Sequence, residues 1–455
     1  MFETLKNAFK VKEIRKKLII TLLLLLVYRL GCYIPIPGMA TSAFSEAISG
    51  NNFLNLMNSV TGGSLANGTL FALGIGPYIN SSIIVQLLCV GIPALERLTK
   101  QGEEGKKKIA AITRWLTLAL AIVQAVGVVI AFGSTIGADL ENDIAAGGIS
   151  TQVLALFGYK WNETFARTML YIYMIVLYSA GAMLTMWLGE RITEYGVGNG
   201  ISLIIFLGII STAGMTLFIE PIRLAVAGSF TRDTAISIIL FVIIAVVIFG
   251  AIVAVDLAER RIPVQYAKQV KGRKMYGGQS TVIPIKISGS GVMPLIFAFA
   301  IISLPDLIMG LFWDGYSSSW YAQNISNGQG AFGWVYILVL CLLIFAFSFF
   351  YAQIQFNPDD ISKSIQQNGG FIPGIRPGRP TAAYLKKISN RITLFGAIFL
   401  ALVAFIPSFA FSFAGDQYVN VFSTTGILIV VSVALEFDKQ LQSQLMMKNY
   451  KGFLK

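Results

Sequence analysis

The sequence predicts an all-α polytopic membrane protein with ten transmembrane helices. Three observations carry that prediction. Of 455 residues, 55% are hydrophobic and only 13% charged, where a soluble domain carries about a quarter charged. Ten apolar runs have roughly the ~20-residue length that crosses a hydrocarbon core. The charge is also sorted: 30 of the 35 Lys and Arg residues lie in, or at the inner ends of, alternate connections. Those connections and both termini are therefore expected on the cytoplasmic side.

Taken in order, span one covers residues 18–34 and follows Lys10, Lys12, Arg15, Lys16 and Lys17. That start is similar to a secretory signal peptide. No small-x-small site follows, and Arg29, Pro35 and Pro37 interrupt the pattern, so an uncleaved span is expected. Span two, 77–92, is short. It follows Thr61-Gly62-Gly63-Ser64 and the polar Asn67, Gly68 and Thr69, and Gly74-Ile75-Gly76-Pro77 breaks the chain just before it. Gly76 weakens a helix and Pro77 suits the first turn of a new one. Irregular backbone at membrane depth must be buried in protein or line a cavity, so a re-entrant segment is expected here. Spans three to six cover 109–133, 165–187, 201–219 and 235–255. Spans seven to ten cover 291–312, 334–356, 392–411 and 419–435.

Two cytoplasmic loops exceed what topology requires. Residues 259–288 carry Arg260-Arg261 and Lys271-Gly272-Arg273-Lys274. Residues 357–391 carry Pro373-Gly374-Ile375-Arg376-Pro377-Gly378, where proline and glycine should hold Arg376 on a defined turn. Such loops suit anionic lipid, RNA or an acidic protein.

The span interiors are nearly free of charge. Arg29, Asp256 and Asp306 sit toward span ends, and the internal polar residues are the neutral Asn80, Ser81, Ser82, Gln86 and Gln124. Their simplest role is hydrogen bonding between helices. An ion-coupled transporter would want mid-membrane carboxylates or bases. Catalysis has less support still. The sequence has no histidine, and Cys32, Cys89 and Cys341 have no metal-site spacing. Gly102-Glu103-Glu104-Gly105-Lys106 is too short for a phosphate loop. No cofactor is expected.

Six stretches, in order along the chain, carry a resemblance. They are Tyr33-Ile34-Pro35-Ile36-Pro37-Gly38, Phe71-Ala72-Leu73-Gly74-Ile75-Gly76-Pro77-Tyr78-Ile79, and Trp187-Leu188-Gly189-Glu190-Arg191-Ile192-Thr193-Glu194. Gly196-Val197-Gly198-Asn199-Gly200-Ile201-Ser202 follows, then Arg261-Ile262-Pro263-Val264-Gln265-Tyr266-Ala267-Lys268, then Phe371 through Gly378. Together they resemble the SecY family, the channel-forming subunits of the Sec protein translocon.

The resemblance implies two pseudo-symmetric five-helix halves, 18–219 and 220–435, around a central hourglass pore. A cytoplasmic segment (1–17) and a tail (436–455) flank them. It implies a plug at Thr61, Gly62, Gly63, Ser64, Leu65, Ala66, Asn67, Gly68, Thr69 and Leu70. Its pore ring matches Ile75, Ile79, Ile201, Ile205, Ile296 and Ile429, with the last the weakest match because Thr424-Thr425-Gly426 departs from the family pattern. Its lateral gate, between spans two and three and spans seven and eight, would be lined by Asn80, Ser82, Gln86 and Gln124. Arg273, Lys274 and Arg376 would dock the SecA ATPase or the ribosome. Further implied partners are SecE, SecG, signal-sequence-bearing polypeptides and anionic lipids. The implied setting is a bacterial cytoplasmic membrane, and the implied activity is passive protein conduction, not catalysis. The alternative is an ion-coupled secondary transporter or a lipid flippase.

Overall fold

The computed structural model describes residues 2–36, 58, 61–99, 101–131, 163–226, 228, 232–266, 269–271, 274–276, 280–287, 293–312, 319–321, 333–412 and 424–452. Among them, a helix occupies each predicted span. In chain order the helices are α1 (Phe2–Lys10), α2 (Lys12–Gly31), α3 (Gly76–Gly91), α4 (Pro93–Thr99), α5 (Glu103–Ala131), α6 (Glu163–Tyr195) and α7 (Gly200–Gly214). A π turn, Met215–Ile219, leads into α8 (Glu220–Val226). Then come α9 (Arg232–Leu257), α10 (Met293–Phe312), α11 (Gly333–Gln355), α12 (Pro358–Gln367), α13 (Arg379–Ser412) and α14 (Thr424–Gly452).

Among the described residues, six helical stretches are long and apolar enough to cross a membrane, one of them α7 continued through the π turn into α8. The pair α3 and α4, bent by 106°, makes a seventh if taken as one span. Helix and span differ most at α2, α13 and α14. Each continues past its apolar run into a charged stretch, so α13 begins at Arg379 although apolarity begins at Ile392. The physical reason is that polarity sets the membrane boundary, whereas capping and hydrogen bonding set the helix boundary.

The chain divides into two compact units: residues 1–235, 303–330 and 420–455 in one, and 236–302 and 331–419 in the other. This departs from the expected division at residue 219, since α14 groups with the first unit, where it packs on α7 and α1. In that unit α3 lies on α5, α5 on α6, and α6 on α7. Its core joins Ile36, Leu65, Ala72 and Leu73 to Ala121, Ala125 and Val129 of α5 and to Leu170, Met174, Tyr178 and Ala182 of α6. The alanines let these helices approach closely, as packing in lipid favours.

In the second unit α11 packs along α13. The two large loops add strands to the all-α frame: β1 (Glu259–Tyr266), β2 (Gln269–Lys271), β3 (Lys274–Tyr276), β4 (Ser280–Lys286) and β5 (Gly370–Phe371). Antiparallel β4 and β5 flank β1, with Ile262 opposite Ile283 and Gln265 opposite Phe371. β1 alternates, burying Ile262 and Val264 while Arg261 and Pro263 face outward, as a sheet with one covered face requires. Ile262, Val264 and Ile285 close on Ile365 of α12, Ile372, and Leu385 of α13. The two basic loops thus form one platform with its own apolar core.

Large apolar side chains remain exposed along the spans, among them Leu22, Leu23, Leu26 and Leu30 on α2 and Val246 and Val247 on α9. Such continuous apolar surface suits lipid rather than water.

Candidate pore and plug site

The break ahead of α3 is a folded structure. Residues 61–75 form successive turns, and α3 starts at Gly76 with Pro77 in its first turn. Thr61, Ser64, Leu65 and Thr69 are buried. The segment satisfies much of its own polarity. Ser64 Oγ donates to the Thr61 carbonyl (2.9 Å) and Thr69 Oγ1 to the Ser64 carbonyl (3.1 Å). Asn58 Oδ1 accepts from the Ala66 N–H (2.9 Å). Buried backbone without such partners would be strongly destabilising.

The end of α2 holds this segment in place. The Ile36 N–H donates to the Gly68 carbonyl and the Leu70 N–H to the Ile34 carbonyl, giving a short antiparallel bridge between Pro35 and Thr69. Arg29 reaches across. Its Nη1 donates to the Gly62 carbonyl (3.0 Å) and its Nη2 to Tyr33 Oη (3.0 Å), with the guanidinium 4.8 Å from the Tyr33 ring centre. Tyr28 stacks on Phe71 at 5.6 Å.

Two glycines make this fit possible. Gly62 has φ 70°, and a Cβ there would meet Arg29 Nη1 and the Gly208 backbone of α7. Gly181 of α6 lies directly under the Leu70 carbonyl, leaving no room for a side chain.

The expected ring residues sit in different settings. Ile75 caps α3 and is buried, and Ile79 is half-buried one turn on. Ile205 and Ile429 are buried, and Ile296 is half-buried in α10. Ile201 is half-buried. It lies in the first turn of α7, and its Cγ1 is 3.1 Å from where a Gly189 side chain would begin. Further along α7, the Gly208 backbone lies against the turn at Gly62.

Among the expected gate residues, Gln86 Nε2 donates to Ser82 Oγ (3.2 Å) within α3, and Asn80 is half-buried. Gln124 is buried with its Oε1 unpaired among the described residues. The bond that joins α3 to α5 is Ser81 Oγ with Thr117 Oγ1 at 2.6 Å.

The motif Gly196 through Ser202 has a structural role. Asn199 Oδ1 accepts from the Ile201 and Ser202 N–H groups at the start of α7, and Thr21 of α2 accepts from the Val197 N–H. Glu190 pairs with Arg114 of α5 at 2.9 Å.

On the platform, Arg376 is exposed on a turn, as its prolines and glycines predict. The Thr381 hydroxyl donates to the Arg376 carbonyl (2.8 Å), and that of Ser362 to the Gly378 carbonyl (2.7 Å). Lys274 opens β3, while Arg273 lies outside the described residues. Sequence reasoning missed Arg29 and Asn58 as plug contacts. An arginine near the outer end of an apolar span was a signal for the first, and Asn58 gave none.

A multi-span helical protein whose second span is broken by a packed, turn-rich segment has the architecture of a membrane channel. Solved structures agree in fold. The chain superposes with a TM-score of 0.62 at 20% identity on "The structure of a protein conducting channel", covering 94% of this chain and 92% of the other. It superposes with 0.59 at 19% on Sec61 in the canine ribosome-channel complex from the endoplasmic reticulum, with the same coverage. The SecY family profile matches residues 69–437. Relatives named protein translocase subunit SecY include those of Streptomyces galbus (41% identical, all of both chains) and Thermotoga maritima (39%, all of this chain and 98% of the relative). This chain belongs to the SecY family.

Proposed function

We propose that this chain is the conducting channel of a protein translocase, passing secretory polypeptides across the membrane and releasing apolar segments into lipid. The observation that carries this reading is the plug segment. A folded, mostly self-satisfied piece of chain is held by a few hydrogen bonds at the head of a half-length span, beside walls without mid-span charge. A conduit for any sequence needs such neutral walls, because a fixed charge would bind some side chains and repel others. The transporter and flippase alternatives lack an observation in their favour.

The proposed ring consists of Ile75, Ile79, Ile201, Ile205, Ile296 and Ile429. Branched side chains are stiff at χ1, and an apolar constriction excludes water and ions by dewetting. The gate is placed at Asn80, Ser82, Gln86 and Gln124. An emerging hydrophobic helix would partition through it, driven by burial of its apolar area at about 25 cal/mol per Å².

Both termini and the platform are placed in the cytoplasm of a bacterial cell, with the chain in its cytoplasmic membrane. Arg273, Lys274 and Arg376 there would meet the ribosome or SecA. SecE and SecG complete the assembly, and anionic lipids surround it. Polyanionic RNA should make ribosome binding salt-sensitive.

The test is translocation in reconstituted vesicles, with Ile75→Asn and Ile429→Asn examined for resting ion conductance. A wetted ring should leak ions and accept weaker signal sequences. Unchanged resting conductance in both variants rejects the ring. A disulfide joining span two to span seven should block passage, and free passage with the bond formed rejects the gate.

A further inference from the structure

We infer that the cleft at the root of the cytoplasmic platform binds the headgroup of one anionic phospholipid, with an acyl chain running down α13. The cleft measures about 670 Å³ and lies within the second compact unit. Arg260 of β1 and Lys387 and Arg391 of α13 supply its positive rim. Ile287, Ile388, Ile392 and Phe395 supply its apolar wall, with Tyr384 at the upper end.

The helical spacing explains this arrangement. Tyr384, Lys387, Ile388, Arg391, Ile392 and Phe395 repeat at intervals of three and four, so they form one stripe on α13. The stripe passes from basic to apolar where the apolar run of span nine begins. On the other side Arg260 follows the end of α9. The positive charge of both walls therefore gathers at one level, at the start of the hydrocarbon zone. The carboxylate in the lining, Glu259, is engaged by Arg261 Nε at 2.7 Å. Among the described residues, none of Arg260, Lys387 and Arg391 pairs with a carboxylate.

Three unengaged cations around one recess suit a phosphate group, which accepts charge-assisted hydrogen bonds. An apolar wall leading toward lipid suits a tethered chain and not a free anion. An acidic polypeptide would want the charge spread outward, as at Arg376, rather than gathered at the bilayer edge.

This inference rests on the membrane placement of the chain and not on protein conduction, so binding tests it independently of transport. The full chain would be incorporated into nanodiscs of phosphatidylcholine with a minor share of phosphatidylglycerol, then extracted, and its retained phosphatidylglycerol counted by native mass spectrometry. The wild type should retain one molecule that the triple variant Arg260→Gln, Lys387→Gln, Arg391→Gln loses, with at least tenfold weaker retention. The charge-keeping variant Lys387→Arg, Arg391→Lys should retain the lipid as the wild type does, separating lost charge from lost folding. Arg376→Gln should leave retention unchanged. Soluble glycerol 3-phosphate at the same concentration should not displace the lipid. Full retention by the triple variant overturns the inference. So does displacement by glycerol 3-phosphate, which marks a plain phosphate site, or a co-purifying polypeptide in place of lipid.

Discussion

The candidate plug segment and the loop platform are both glycine-containing interruptions between apolar helices, yet they are held differently. The plug buries Leu65 and Ile36 but owes much of its attachment to single hydrogen bonds from Arg29, Ile36 and Leu70. Each such bond contributes only about 0.5–1.5 kcal/mol net, and water can replace it. The platform is held by a three-stranded sheet and an apolar cluster from four elements and the turn before Arg376, which water cannot replace. If the first serves as a plug, those bonds are the ones its release would break, while the second holds Arg376 in one place.

Four substitutions separate these regions, from the largest expected effect to the smallest. Leu385→Ala should cost about 2–5 kcal/mol by opening a cavity in the platform core. Protease cleavage within 259–288 and 357–391 should rise steeply while resting conductance stays at the wild-type level. A leak would mean that the two regions are not independent. Gly181→Val puts a side chain under the Leu70 carbonyl, and overpacking of this kind costs about 1–3 kcal/mol. It should displace the plug and raise resting conductance with the platform intact. Arg29→Gln removes a charged donor from the Gly62 carbonyl, for about 1 kcal/mol of closed-state preference. A smaller, measurable rise in conductance is expected, and none if the bond is incidental. Arg376→Glu should shift thermal unfolding by less than about 0.5 kcal/mol, as exposed sites do. It should nevertheless impair SecA-driven export, and normal export would remove the docking role.

Glu190→Gln sets the scale for a merely structural contact. Its pair with Arg114 is largely exposed, and such pairs contribute about 0.2–1 kcal/mol. A change in unfolding midpoint without any change in transport is expected. A transport defect would give the Trp187-to-Glu194 motif a role beyond packing α5 on α6.

Much of the fold was legible in the chain. Among the described residues each of the ten apolar runs coincides with helix, the break before Pro77 is present, and Arg376 sits exposed between two turns. Elsewhere local pattern was silent. Nothing in residues 259–288 announced that β1 would pair with both β4 and β5, because β5 comes from the other loop. Nor did local pattern say that Ile201 would lie against Gly189, which a different helix supplies.

The sequence by itself determined where the apolar helices lie, their order and which connections carry the basic charge. Those follow from local polarity and length, which lipid reads directly. Tertiary structure decided that Arg29 and the Pro35–Thr69 bridge hold the turns at 61–70, that two distant loops share one core, and that Arg260 and Arg391 rim one cleft. Each joins residues far apart in the chain, and no property of either residue alone says which partner the packed helices will bring within reach.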